Sequence, residues 1–139
     1  MSKKKTRWLN KSLLEGFYYR LCLNETEFQE ELDDLVEDKK QHPDFVNAGS
    51  DATTHFFTRN RKKMAIVCLD RTEDATVDQV YGLLVHEAVH IWQEFAAHIG
   101  ETRPGAEQEA YAIQRLSQSL IADYRKQKRK KEKLKENTQ

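Results

Sequence analysis

The chain has 139 residues, 33% of them charged, with 23 basic side chains balanced by 23 acidic ones. That length suits one domain with a modest core, and zero net charge excludes recognition of a partner through bulk charge alone. No apolar run approaches the ~18 residues of a membrane span, and the lysine-rich start lacks the apolar segment of a secretion signal.

Cys22 and Cys68 stand in no metal-binding or redox spacing. They point to reduced thiols and a cytoplasmic setting. Charge is unevenly placed along the chain. Residues 25–38 hold eight acidic groups and no basic one, and residues 125–136 hold eight basic groups against two acidic.

Residues 1–10 read as a basic, loosely ordered N-terminus on which Trp8 and Leu9 can dock. In residues 17–23 Phe17, Tyr19, Leu21 and Leu23 alternate with Tyr18, Arg20 and Cys22, which predicts a strand. Asn24 with Glu27 forms a cap for a helix through about Lys40, with apolar stripe Phe28, Leu32, Leu35 and Val36 and a solvated acidic face. His42-Pro43 closes it, and residues 47–51 read as loop. Two β-rich runs, residues 53–58 and 64–69, flank the polar turn Arg59-Asn60-Arg61-Lys62. That hairpin and residues 17–23 are expected to make a small antiparallel sheet.

Apolar residues then recur with helical period at Val77, Tyr81, Leu84, Val85, Ala88, Trp92 and Phe95, between a Thr76/Gln79 capping box and a stop at Gly100. A second long helix starts near Gly105 and runs through Tyr124, after which the apolar stripe stops. Residues 125–139 are expected to fray as a charged tail. The fold class is therefore α+β, a small antiparallel sheet packed on a helical core. The single domain spans residues 11–124.

The first of these helices contains His86-Glu87-Ala88-Val89-His90. Residues four apart lie one above the other on a helix, so His86 and His90 can aim two ring nitrogens at one ion. Glu87, about 100° round, is placed to act on water beside that ion as a general base. His-Glu-x-x-His on a helix is the pattern of a zinc hydrolase. The wheel sets the pair apart from the apolar stripe, beside Gln79, Gln93 and Ala97. A catalytic zinc needs a third protein ligand. Position 96 is Ala, and His98 is rotated away from His90, which leaves Glu107 and Glu109 at the start of the next helix. Glu109 projects near the apolar stripe, where a buried carboxylate needs a strong partner. Glu107 lies at the boundary with Tyr111 on its face. The wheel does not choose between them.

His86-Glu87-x-x-His90 followed by Glu107-x-x-Ala110-Tyr111 resembles the gluzincin branch of zinc peptidases, whose second-helix motif is Glu-x-x-Ala-Asp/Asn. That resemblance implies Glu107 as third ligand, with Glu109 the alternative, and puts Tyr111 where the family has Asp or Asn. The fuller pattern over residues 80–120 is similar to short metallopeptidase-like proteins of tailed phages and prophages. It implies a minimal zincin-like core in a bacterial host cytoplasm, with a phage or host protein as a further partner.

On this reading the chain is a zinc metallopeptidase acting on a peptide or protein substrate. Zn²⁺ lowers the pKa of water toward ~7 and polarises the carbonyl, and Glu87 moves the proton to the leaving amine. Tyr111, Tyr81 and His55 are candidate donors to the carbonyl oxygen. The competing reading is a catalytically inactive metal-binding structural or interaction protein. No membrane partner is expected. The basic tail reads as solvated rather than as a nucleic-acid site, because Glu132 and Glu136 interrupt it and it lacks aromatics.

Overall fold

The computed structural model describes Trp8, Leu9 and residues 17–138. The basic stretch at residues 1–7 and residues 10–16 therefore lie outside the described residues, as does residue 139. The chain divides into two compact units, one up to Ala75 and one from Thr76.

The first unit holds strand β1 (Phe17–Cys22), helix α1 (Glu25–Leu35), a short 3-10 turn (Lys39–Gln41), and strands β2 (Ala52–Arg59) and β3 (Lys62–Leu69). The strand order is β1-β3-β2. β2 and β3 pair antiparallel as the expected hairpin, turning at Asn60 and Arg61 with φ of 53° and 63°. Two consecutive left-handed residues give the turn a twist that matches the strands.

The sheet is mixed, not antiparallel. β1 runs parallel to β3, with Leu21 opposite Val67 and Cys22 opposite Cys68. The physical cause is the connection: α1, the loop after it and β2 reverse the chain an even number of times before β3 begins. A crossover containing a helix is what parallel pairing needs. Alternation within single strands carries no information about that direction.

Phe28 and Leu32 of α1 share a core with Cys22, Ile66, Cys68 and Phe45, and Trp8 packs against it. Leu9 donates its backbone N–H to Tyr19 O at 2.8 Å. Arg20 is buried in the row that also carries Ile66 and His55. It bonds to Glu31 and lies 3.9 Å from Glu27. Part of the acidic face of α1 is thus matched to a buried guanidinium and is not merely solvated.

Asn24 caps α1 by accepting from Glu27 N at 2.9 Å. The helix stops at Leu35, short of the Lys40 expected from composition. Val36 turns extended, and its carbonyl is bonded by His42 Nε2 at 3.1 Å. Asp38 Oδ1 accepts from Lys40 N, the local side-chain competition that makes Asp a poor helix interior.

The second unit is a pair of helices, α2 (Val77–His98) and α3 (Ala106–Asn137). α2 begins at the Thr76/Gln79 capping box, with both bonds made. It ends where Glu101 N reaches Ala96 O and Gly100 N reaches Ala97 O, with Gly100 at φ 79°. Those two bonds satisfy two of the last carbonyls, and the left-handed residue there favours glycine.

α3 does not fray after Tyr124 but continues to Asn137. Lys, Arg, Gln, Glu and Leu are strong helix formers, and no Gly or Pro follows Gly105. Cations near the helix C-terminus also suit its dipole. Among the described residues no helix is long and apolar enough to cross a membrane.

Candidate metal centre

α2 buries Val80, Leu84, Ala88, Ile91, Trp92 and Phe95 and leaves His86 and His90 exposed. The two imidazoles converge. Their Nε2 atoms are 3.0 Å apart, with the rings nearly perpendicular at 77°. Adjacent nitrogen ligands on a tetrahedral zinc, each about 2.0–2.1 Å from the ion, stand about 3.3 Å apart. An opening of about 0.3 Å would bring the pair to that spacing.

A neighbour braces the ring from behind. His90 Nδ1 lies 3.2 Å from Gln93 Oε1. A hydrogen on Nδ1 would leave the Nε2 lone pair directed at His86 and at a cation held between the two rings. Imidazole nitrogen also suits zinc among common divalent ions.

Glu87 follows His86 on the helix but turns inward and is 4% exposed. The carboxylates of α3 behave differently from one another. Glu109 Oε2 accepts from Trp92 Nε1 at 2.8 Å, so the strong partner that this half-buried group needs is an indole. Glu107 is exposed in the first turn of α3. Among the described residues no group of three or more His, Cys, Asp or Glu is gathered in a way that could hold a metal ion. The structure therefore brings His86 and His90 together and joins neither Glu107 nor Glu109 to them.

The facing pairs of the two helices give the reason. Trp92 meets Glu109, and Tyr81 meets Tyr124 edge-on at 6.3 Å. Their residue numbers sum to 201 and 205, as in an antiparallel pair. By that register Glu107 faces the level of residues 94–98, roughly 6–12 Å along the axis beyond His90. The level of His90 is met instead by residues 111–115, which begin with Tyr111, 67% exposed. A helical wheel carries no such axial register, so sequence reasoning had no means of finding it.

His55, a candidate donor, belongs to the first unit and is engaged there. Its Nε2 is 3.0 Å from Phe45 O, and its ring stacks on Phe28 at 4.9 Å. On sequence grounds Gln93, on the histidine face, is a candidate for a hydrogen bond to the site, against plain exposure, and its Oε1 lies 3.2 Å from His90 Nδ1. Its bond to His90 is a detail of rotamer rather than of pattern.

Comparison of the chain with models of known families, with curated proteins and with solved structures gave no match.

Proposed function

We propose that the chain is a zinc-dependent peptide hydrolase whose metal is held by His86 and His90. The observation that supports this reading is the 3.0 Å convergence of two exposed Nε2 atoms, with His90 oriented from behind by Gln93. Bound zinc would supply Lewis acidity toward water and a substrate carbonyl. Glu87 is the residue assigned to take the proton of the attacking water and deliver it to the departing amine, and, buried as it is, it has to turn outward to reach that water.

Glu107 is the carboxylate assigned to the third protein position, following the resemblance of Glu107-x-x-Ala110-Tyr111 to the gluzincin second-helix motif. Its exposed place at the start of α3 requires it to move toward the histidines when the metal binds. Tyr111, one turn further along α3 and level with His90, donates its phenol to the carbonyl oxygen in this scheme. A peptide or protein is the substrate, and the resemblance to phage and prophage metallopeptidase-like proteins supports a bacterial cytoplasm as the setting.

A second reading has an observation of its own. Among the described residues two candidate ligands converge without a third, and Glu109 is held by Trp92. This favours a metal-binding structural or interaction protein without turnover. Peptide cleavage by zinc-loaded protein separates the two. Cleavage lost in Glu87→Gln with zinc retained supports the hydrolase, and zinc binding without cleavage in the native chain supports the alternative.

A further inference from the structure

The basic end of the chain gains a geometry once it is a helix. From Arg125 to Glu136 it carries eight basic and two acidic side chains, and every described residue from 129 to 138 is exposed. At about 100° per residue, Glu132 and Glu136 fall within about 40° of one another on a single strip. The acids that seemed to interrupt the charge run are therefore segregated. Next to them lies a sector about 100° wide that contains Arg129, Lys133, Lys126 and Lys130 and no acid. All four are exposed, and they span about 10 Å of helix axis.

The helix pair also leaves this end uncovered by α2. In the register set by Trp92–Glu109 and Tyr81–Tyr124, the first residue of α2, Val77, faces the level of residues 124–128. Beyond that level α3 continues without α2 for about two turns.

We infer that this acid-free flank of α3 binds the phosphate backbone of nucleic acid. Four cations held in line by a helix, within about 10 Å, meet the dense, regular charge of a duplex, which carries one phosphate per ~1.7 Å of axis. An anionic membrane fits less well. Surface helices insert an apolar face, and among the described residues after Tyr124 the only large exposed hydrophobic one is Leu134. The binding is independent of sequence, because nothing on the flank is shaped to read base edges. It is also independent of the metal centre on α2.

The test is fluorescence anisotropy of the full chain with a labelled 24-base-pair duplex across a salt series. Four phosphate contacts give a log–log slope of affinity against salt of about −3.6. Arg129→Gln/Lys133→Gln should reduce the slope by about two and weaken binding at low salt at least tenfold. Lys131→Gln/Lys135→Gln removes the same charge from another sector and should leave the slope within about half a unit. Circular dichroism of each variant checks that the helix persists. Equal losses in both double variants, or no duplex binding at 50 mM salt, would overturn the proposal. So would tighter binding to phosphatidylserine vesicles than to the duplex.

Discussion

Trp92 donates its indole N–H to Glu109 across the two helices of the second unit, at 2.8 Å. The bond satisfies the one polar atom of a 97%-buried aromatic and fixes the register in which α3 returns along α2. Trp92→Phe keeps most of the apolar area but leaves a half-buried carboxylate without its donor. Urea unfolding should show a loss of about 1–3 kcal/mol. Glu109→Gln, which retains an acceptor, should cost less, and neither change should alter zinc affinity by more than about threefold. A large loss of zinc binding in Glu109→Gln would make Glu109 a ligand instead of a structural acceptor.

Gln93 Oε1 lies 3.2 Å from His90 Nδ1, behind the nitrogen that faces His86. Partners of this kind behind a ligand histidine commonly contribute ten- to a hundredfold to metal affinity. Gln93→Leu should weaken zinc binding by at least about tenfold in a chelator competition, while Gln93→Glu retains or strengthens it. Because Gln93 is exposed, the thermal midpoint of metal-free protein should stay within about 2 °C. Affinity unchanged in Gln93→Leu would remove this role.

In the first unit, Arg20 is buried and depends on Glu31 and Glu27 of α1. Truncating the partner strands a guanidinium in the core. Glu31→Ala should destabilise the chain by about 2–4 kcal/mol, more than Glu30→Ala on the same helix. Equal effects of the two changes in urea would show that the ion pair contributes nothing particular.

The turn between β2 and β3 places Arg61 at φ 63°, a conformation that costs a residue with a Cβ about 1 kcal/mol or more. Arg61→Gly should raise the unfolding free energy by up to about 1 kcal/mol. A loss of stability would mean that the arginine side chain contributes more than its backbone strain.

What could be read in advance divides by range. The hairpin, the cap of α1 and both ends of α2 were legible because their signals lie within a few residues: Asn60-Arg61, Asn24 with Glu27, Thr76 with Gln79, and Gly100. The parallel pairing of β1 with β3 was not legible, because it follows from the path of the whole connection. The stop of the apolar stripe at Tyr124 marked the end of the buried apolar face, with Gln127 buried beyond it, and propensity carried α3 thirteen residues further. At the site, i and i+4 spacing was enough to bring His86 and His90 together. The carboxylates depended on how two helices slide past each other. That is set by contacts such as Trp92–Glu109, which no single-helix pattern contains.

The most direct measurement is the metal content of the untagged chain purified without chelator, beside His86→Ala and His90→Ala. The expected result is close to one zinc per chain in the native protein and little in either variant, with helix content unchanged. A native chain that carries no zinc, and takes up none at micromolar free metal, would contradict the proposed metal centre and the hydrolase with it.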